Sequence, residues 1–414
     1  MNNHKNENVI PVVFAVNNDY TYFGYIAIYS LIKHINSDSI YGIYVLVTDV
    51  DKKNQELLES LSRKNVEVKC LDISDFTKDV TLKESIHLSV ETYYRLFIPI
   101  VLPQYERIIY LDSDICVLDD VAKMLKYDLC GKSVGVVRDV QCGHLKKHSL
   151  EIGNLDYRKT FNAGVLVMDT RKFENDKVRD KCLAILNEDY KRKVRRFIFA
   201  DQDALNVVLY ENVCFIDDEW NVQSQFAWRP QTLTDEYKNR YFTLLDSAKI
   251  MHFAGDRKPW MYPELPKADV FWDIAKESDV FREVLESIIE KVRKNASKLN
   301  CFDGFQFPYK QVPFGSKIAV YGAGVVGKTF VMQNRLTGYV EITLWVDKNA
   351  RNLSDPEVYD VETLLTGEFE YLIIAIDDED TAMSIKKSLL SLGIPKDKIV
   401  WDKYLQNNNR KSKG

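Results

Sequence analysis

Short runs rich in Val, Ile and Tyr recur along this 414-residue chain, and most are followed by a stretch with helical spacing. The first, Ile10 to Val16, ends in the polar turn Asn17-Asn18-Asp19 and is followed by a helical pattern from Tyr22 to Ile35. Further runs predict strands at Tyr41 to Val47, Val66 to Leu71, Arg107 to Leu111, Val134 to Val137, Ala163 to Met168 and Lys249 to Phe253. Strands that alternate with helices leave few solutions other than an α/β layer around a mainly parallel sheet. The length predicts two or three domains.

From Val280 to Val292 apolar residues recur at helical spacing among Glu and Lys, and a segment dense in Gly, Pro, Asn and Ser follows. Such a segment reads as a linker, with a boundary near Phe305. A second α/β block comes next: a strand Lys317 to Tyr321, the turn GAGVVG, a helix, a strand Ile342 to Val346 ending at Asp347, and a strand Tyr371 to Ile376. This predicts a small Rossmann-like module, and the glycine pattern with Asp347 beyond it resembles a dinucleotide-binding turn. The module is too short to be a whole dehydrogenase, so a structural or docking role and cofactor binding both stand as readings.

Charge excludes some classes of partner. With 56 Lys and Arg against 61 Asp and Glu the net charge is -5, which gives no general attraction for nucleic acid or anionic membrane. The basic run KRKVRR, Lys191 to Arg196, is the local exception, read as a solvated helix end or as a contact for an anionic acceptor. Seven widely spaced cysteines form no C-x-x-C pair, which argues against a disulfide scaffold or thiolate metal site and for a reducing compartment. The polar start and the lack of a long apolar run predict a cytoplasmic protein with no membrane span.

The densest chemical signal is YLDSDI, where an apolar strand delivers Asp112 and Asp114 with one residue between them. Ligands of open α/β sheets bind beyond the carboxyl ends of strands, and two hard carboxylates there suit Mn²⁺ or Mg²⁺ with positions left for phosphate oxygens. Acidic pairs are also common turn residues. A second strand end, IMHFAGDRKPW, carries His252 as a possible third ligand, Gly255 for close backbone approach to a phosphate, and Lys258 as a positive charge for one.

Five segments, VFAVNNDYTY, ETYYRLFIPIVLPQYERIIYLDSDICVLDDV, FNAGVLVMDTRKF, ADQDALN and MHFAGDRKPW, resemble in order and spacing the bacterial members of glycosyltransferase family 8. The resemblance covers residues 9–275 and implies a GT-A nucleotide-sugar transferase domain there; the sequence pattern beyond it predicts a helical linker over 276–304, a Rossmann-like accessory domain over 305–402 and a polar basic tail over 403–414. The resemblance implies a retaining, Mn²⁺-dependent transferase of lipopolysaccharide type that moves galactose or glucose from a UDP-sugar to a glycan or glycolipid acceptor. Such an enzyme would work in surface polysaccharide biosynthesis, in the cytoplasm and in peripheral contact with the inner face of the membrane. The alternatives are an NAD-dependent oxidoreductase built on the second module and a non-catalytic sugar-nucleotide-binding protein.

By position, the resemblance implies that Asp112, Asp114 and His252 hold the metal. Asn17, Asn18, Asp19, Tyr20, Thr21, Tyr22 and Ser113 would face the nucleoside, His87 another part of the donor, and Lys258 with Gly255 the pyrophosphate. Arg95, Asn162, Ala163, Gly164, Asp201 and Gln202 would surround the donor sugar, and Asp139 the acceptor side. Gln202 is a weak nucleophile, so retention points to attack by the acceptor on the face of the departing phosphate, with Asp139 and Asp201 as carboxylate alternatives. Many members carry Asp where this chain has Asn17, whose amide can still pair with a uracil edge.

Overall fold

The computed structural model describes residues 9–401 apart from 37, 79, 81–89, 193–195, 228, 256, 264, 297–304, 351–352 and 354–356. His87, the tail 403–414 and the centre of the basic run lie outside the described residues. The chain divides into two compact units, residues 1–274 and 275–414.

In the first unit, β1 (Val9–Ala15), β2 (Ile40–Val47), β3 (Val66–Asp72), β4 (Arg107–Leu111), β6 (Val134–Arg138), β7 (Phe161–Asp169) and β8 (Val213–Phe215) form a seven-stranded sheet in the order β3-β2-β1-β4-β7-β6-β8. Four of its pairings are parallel, and β7 runs antiparallel to both β4 and β6. This is an α/β fold around a mainly parallel sheet. A small second sheet joins β5 (Ile115–Val117), β10 (Ile250–His252) and β9 (Val222–Gln223).

The central strands are apolar on both faces because both are covered, as buried sheets require. Val13, Ile108, Tyr110, Leu166 and Met168 face Tyr94, Phe97, Phe173 and Leu205 in one continuous core. On the other side of the first strand end, Phe23 stacks on Trp260 with ring centroids 4.0 Å apart, and Phe271 packs against both. Each such fully buried apolar side chain contributes about 1.5–3 kcal/mol relative to exposure.

In the second unit, β11 (Lys317–Tyr321), β12 (Glu341–Val346), β13 (Tyr371–Ile374) and β14 (Ile399–Val400) form an all-parallel sheet in the order β12-β11-β13-β14. The helix Phe281–Ala296, expected to be linker, packs in this unit: Val284, Leu285 and Ile288 are fully buried, and Phe281 meets Phe314 and Tyr339 edge-on or tilted. After β11, Gly322 takes a positive φ of 111°, and a Cβ there would sit 2.9 Å from the Ala375 carbonyl oxygen.

Candidate active site

Sheet order explains how distant residues meet. Strands β1 and β4 are parallel neighbours, so their carboxyl ends deliver Asn17 and the Asp112-Ser113-Asp114 turn side by side. Strand β7 runs the other way, which sets its opening residues Asn162, Ala163 and Gly164 beside that turn; the Asp112 N–H donates to the Gly164 carbonyl at 2.8 Å. Strand β5 leaves the turn and pairs antiparallel with β10, placing His252 opposite Ile115.

Asp112, Asp114 and His252 therefore converge, each with a ligand atom within 4.8 Å of the others. His252 Nε2 lies 3.2 Å from Asp114 Oδ1 and 3.9 Å from Asp112 Oδ2. Neighbouring ligands around a small divalent ion stand roughly 3 Å apart, so the donor set fits one. The remaining carboxylate oxygens are held by other groups. Asp112 Oδ1 accepts from the Tyr110 hydroxyl at 2.7 Å and pairs with Arg95 Nη2 at 3.2 Å, while Asp114 Oδ2 accepts from Lys258 Nζ. Burial alone would raise the pKa of Asp114, but Lys258 and His252 outweigh it and hold the carboxyl far below the usual carboxylate range. Gly164 closes the site: a Cβ there would meet His252 Cε1 at 2.4 Å and Asp112 Oδ2 at 2.7 Å.

Arg95 is buried and ties this cluster to its neighbour, with Nε 2.9 Å from Asp201 Oδ2 and Nη1 donating to the Ala163 carbonyl. Burial raises the Asp201 pKa to about 6 against the opposing pull of Arg95, and the nearby Asp112 charge adds to the rise. Gln202, one residue on, accepts at Oε1 from Asn162 Nδ2 and from the Ala163 N–H, both at 3.0 Å, and donates from Nε2 to Asp139 Oδ2 at 3.2 Å. Asp139 Oδ1 accepts from Gln223 Nε2 at 2.9 Å and from the Val140 N–H at 2.7 Å, and burial raises its pKa. The helix Ala200–Val208 opens with Ala200 at φ 47°, a left-handed conformation unusual for Ala, and Gln202 in its first turn meets β7.

The model of Glycosyl transferase family 8 matches residues 11–264, more than half of the chain. The chain belongs to glycosyltransferase family 8.

It is 28% identical over 238 residues to General stress protein A of Bacillus subtilis (strain 168), covering 56% of this chain and 80% of that relative. It is 27% identical over 196 residues to Lipopolysaccharide 1,2-glucosyltransferase of Escherichia coli (strain K12), covering 46% of this chain and only 55% of that relative. Among solved structures, the galactosyltransferase LgtC, in complex with donor and acceptor sugar analogs, aligns with a TM-score of 0.54 at 22% identity, over 66% of this chain and 100% of LgtC. The bifunctional glycosyltransferase WbbM aligns with a TM-score of 0.58 at 24% identity, over 68% of this chain and 52% of WbbM. At these identities the likeness is one of fold, and it gives the family 8 unit a GT-A-like architecture.

Some of the expected donor residues of the family 8 unit are bonded within their own turn or to a neighbouring loop. Asn18 is spent on the loop after β2: its Nδ2 donates to the Asp49 carbonyl, and its Oδ1 accepts from the Asp51 N–H and from Asn54. Thr21, the first residue of the helix Thr21–Lys33, is fully buried and donates from its hydroxyl to the Asn17 carbonyl. These two build the turn. Asn17 Oδ1 accepts from the Tyr20 N–H at 3.0 Å and its Nδ2 donates to Glu91 Oε2 at 3.1 Å, so its amide is already engaged. Tyr20 lies near the charged cluster: burial raises its pKa, and Lys258 partly offsets the rise. Asp19 is exposed, and Ser113 and Tyr22 are half-buried. Gly255 has φ 86°, and a Cβ there would strike Gln225 Oε1 at 2.3 Å.

Three residues at the site were not anticipated: Asn221, Gln223 and Tyr110. Asn221 Oδ1 lies 2.8 Å from His252 Nδ1, and its Nδ2 is 2.9 Å from Asn162 Oδ1. Asn221 closes a 3-10 turn and Gln223 lies in the two-residue β9, so neither carries a local pattern in the sequence.

Proposed function

We propose that this chain is a retaining glycosyltransferase that moves a hexose, galactose or glucose, from a UDP-sugar to a glycan or glycolipid acceptor in surface polysaccharide biosynthesis. The observation that carries the reading is the convergence of Asp112, Asp114 and His252 at the carboxyl ends of β4 and β10, beside Lys258. Two hard carboxylates and an imidazole suit Mn²⁺, with Mg²⁺ as the substitute. When bound, the ion would neutralise charge on the diphosphate leaving group.

The protein's own groups do the rest. Lys258 Nζ, now on Asp114 Oδ2 and 2.8 Å from the Phe253 carbonyl, is within reach of a diphosphate on the same side and would offset its developing charge. Arg95 holds Asp112 and Asp201 in register, and Asn162, Ala163 and Gln202 would surround the sugar. Retention is best explained by attack on the departing face. The acceptor oxygen bonds to the anomeric carbon as the bond to phosphate breaks, and the acceptor proton passes to a phosphate oxygen. This reading is supported by the state of the alternatives: Gln202 Oε1 already takes two donors, Asp139 takes three, and Asp201 is paired with Arg95.

The acceptor class follows the named lipopolysaccharide relative. No helix among the described residues is long and apolar enough to cross a membrane. In our reading a lipid-linked acceptor would be met peripherally, from the cytoplasm. We read residues 305–402 as a Rossmann-like accessory domain, in keeping with the parallel sheet and the Gly322 turn. The oxidoreductase reading is disfavoured by Asp347, whose Oδ2 accepts from the Ala323 N–H at 2.7 Å and whose Oδ1 accepts from the Asn349 N–H at 2.8 Å. Two of the carboxylate's roughly four acceptor positions are thereby taken by its own loop.

A panel of nucleotide sugars, scored for hydrolysis with and without Mn²⁺, tests the proposal. UDP-galactose or UDP-glucose should be cleaved in a metal-dependent way. Binding without turnover of any donor would leave a sugar-nucleotide-binding protein, and NAD(H) binding with no UDP binding would favour the oxidoreductase.

A further inference from the structure

A histidine offers a metal one ring nitrogen, and the proton on the other decides which. His252 is buried, with Nδ1 2.8 Å from Asn221 Oδ1. That contact donates from the ring only when the Asn221 amide presents its oxygen, and an amide can be turned by 180° without changing its shape. The orientation needs an anchor that cannot turn.

Strand β7 supplies it. The Gly164 backbone N–H can only donate, and it lies 3.0 Å from Asn162 Oδ1, so that atom is the carbonyl oxygen. Asn221 meets the same oxygen at 2.9 Å and must present its NH₂ there. Its own oxygen then faces His252 and Nδ1 carries a proton, so in the neutral ring Nε2 is the nitrogen that can offer a lone pair to a metal held by Asp112 and Asp114. The next backbone group on β7 fixes the other branch. The Ala163 N–H donates to Gln202 Oε1, so Gln202 Nε2 faces Asp139, and Asn162 Nδ2 joins the two branches through its contact with Gln202 Oε1. Asn221, Asn162, His252 and Asp139 are all buried, so water does not compete for these bonds.

We propose that Asn221 is the positioning residue of the metal centre: with Asn162 it forms an amide relay that fixes the His252 tautomer and ties the metal ligand to Gln202. The inference rests on the metal reading proposed above. Asn221→Leu leaves Nδ1–H without its acceptor. Asn221→Asp keeps that acceptor but cannot donate to Asn162 Oδ1, so it separates the two arms of the relay. Outer partners of metal-bound histidines are commonly worth about 10- to 100-fold in affinity.

Two measurements on the full chain test this. In metal-free wild-type protein with ¹⁵N-labelled histidine, neutral His252 should carry its proton on Nδ1. In calorimetric titrations with Mn²⁺, Asn221→Leu should bind about 10- to 100-fold more weakly and Asn221→Asp within a few fold of wild type. Metal-free UDP affinity should hold in both as the check on folding. A proton on Nε2 in the wild type overturns the inference without any variant, and so does Asn221→Leu protein that binds Mn²⁺ as wild type does. Wild-type protein that binds no Mn²⁺ while keeping the Nδ1 proton overturns the metal reading instead, and the proposed role of Asn221 falls with it.

Discussion

Replacing Gly164 by Ala puts one methyl group at the most crowded point of the site. Its position would be 2.4 Å from His252 Cε1, 2.7 Å from Asp112 Oδ2 and 3.0 Å from Asn162 Oδ1. Carbon atoms rest at about 3.5–4.0 Å, so the first contact must open by roughly 1 Å. Cε1 lies between the two ring nitrogens, so the ring cannot retreat without lengthening the 2.8 Å contact to Asn221 or moving Nε2 off the carboxylates. Overpacking of this kind costs about 1–3 kcal/mol, and a 1 Å misplacement of reacting groups costs on the order of 100-fold in rate. Denaturant unfolding, Mn²⁺ calorimetry and donor hydrolysis should all register the change. Gly143→Ala is the matched control, because nothing lies within 4 Å of a Cβ there. A Gly164→Ala protein with wild-type stability, metal affinity and turnover would refute the argument that the missing Cβ makes room for the ligands.

Gln202→Ala should cut transfer severely and leave UDP affinity within a few fold, since Gln202 touches Asn162, Ala163 and Asp139 rather than the nucleoside side; equal losses in binding and turnover would move it to the nucleotide. Asp201, with a folded pKa of about 6, favours the fold fully at pH values below its unfolded value of about 4. That contribution is lost as pH rises through about 6; Asp201→Asn should flatten the change, and a carboxyl titration by ¹³C NMR with a midpoint near 4 would contradict it. Cys116 and Cys182 are buried, and burial pushes both thiols up, while Cys130 is exposed; a thiol reagent should label Cys130 in the native protein and Cys116 and Cys182 only on unfolding, as timed labelling with peptide mapping would show.

Long strands with a full apolar face were legible in sequence: Arg107 to Leu111 and Lys317 to Tyr321 coincide with β4 and β11, and the other expected strands differ only at their ends. The short strands β5, β8, β9 and β14 were not, because two or three residues seldom display a period and pairing to neighbours makes them strands; the equally short β10 was legible only within the longer run Lys249 to Phe253. The metal candidates were legible because carboxylates at a strand end have a local signature. Asn221 has none, since its role is set by residues from β7 and β10 that no spacing links to it. Asn18 and Thr21 show the converse, polar residues beside a predicted site that the turn itself consumes.

The pairing of β5 with β10 also sets a time order. His252 follows Asp114 by 252 − 114 = 138 positions, and a ribosome adding about 5–20 residues per second needs roughly 7–28 s to cover them. Until β10 has emerged, Asp112 can pair with Arg95 and accept from Tyr110, both already synthesised, but Asp114 lacks His252 and Lys258, which do not yet exist. An ion taken by all three ligands can therefore lock the finished domain, yet it cannot serve as a template for the nascent one.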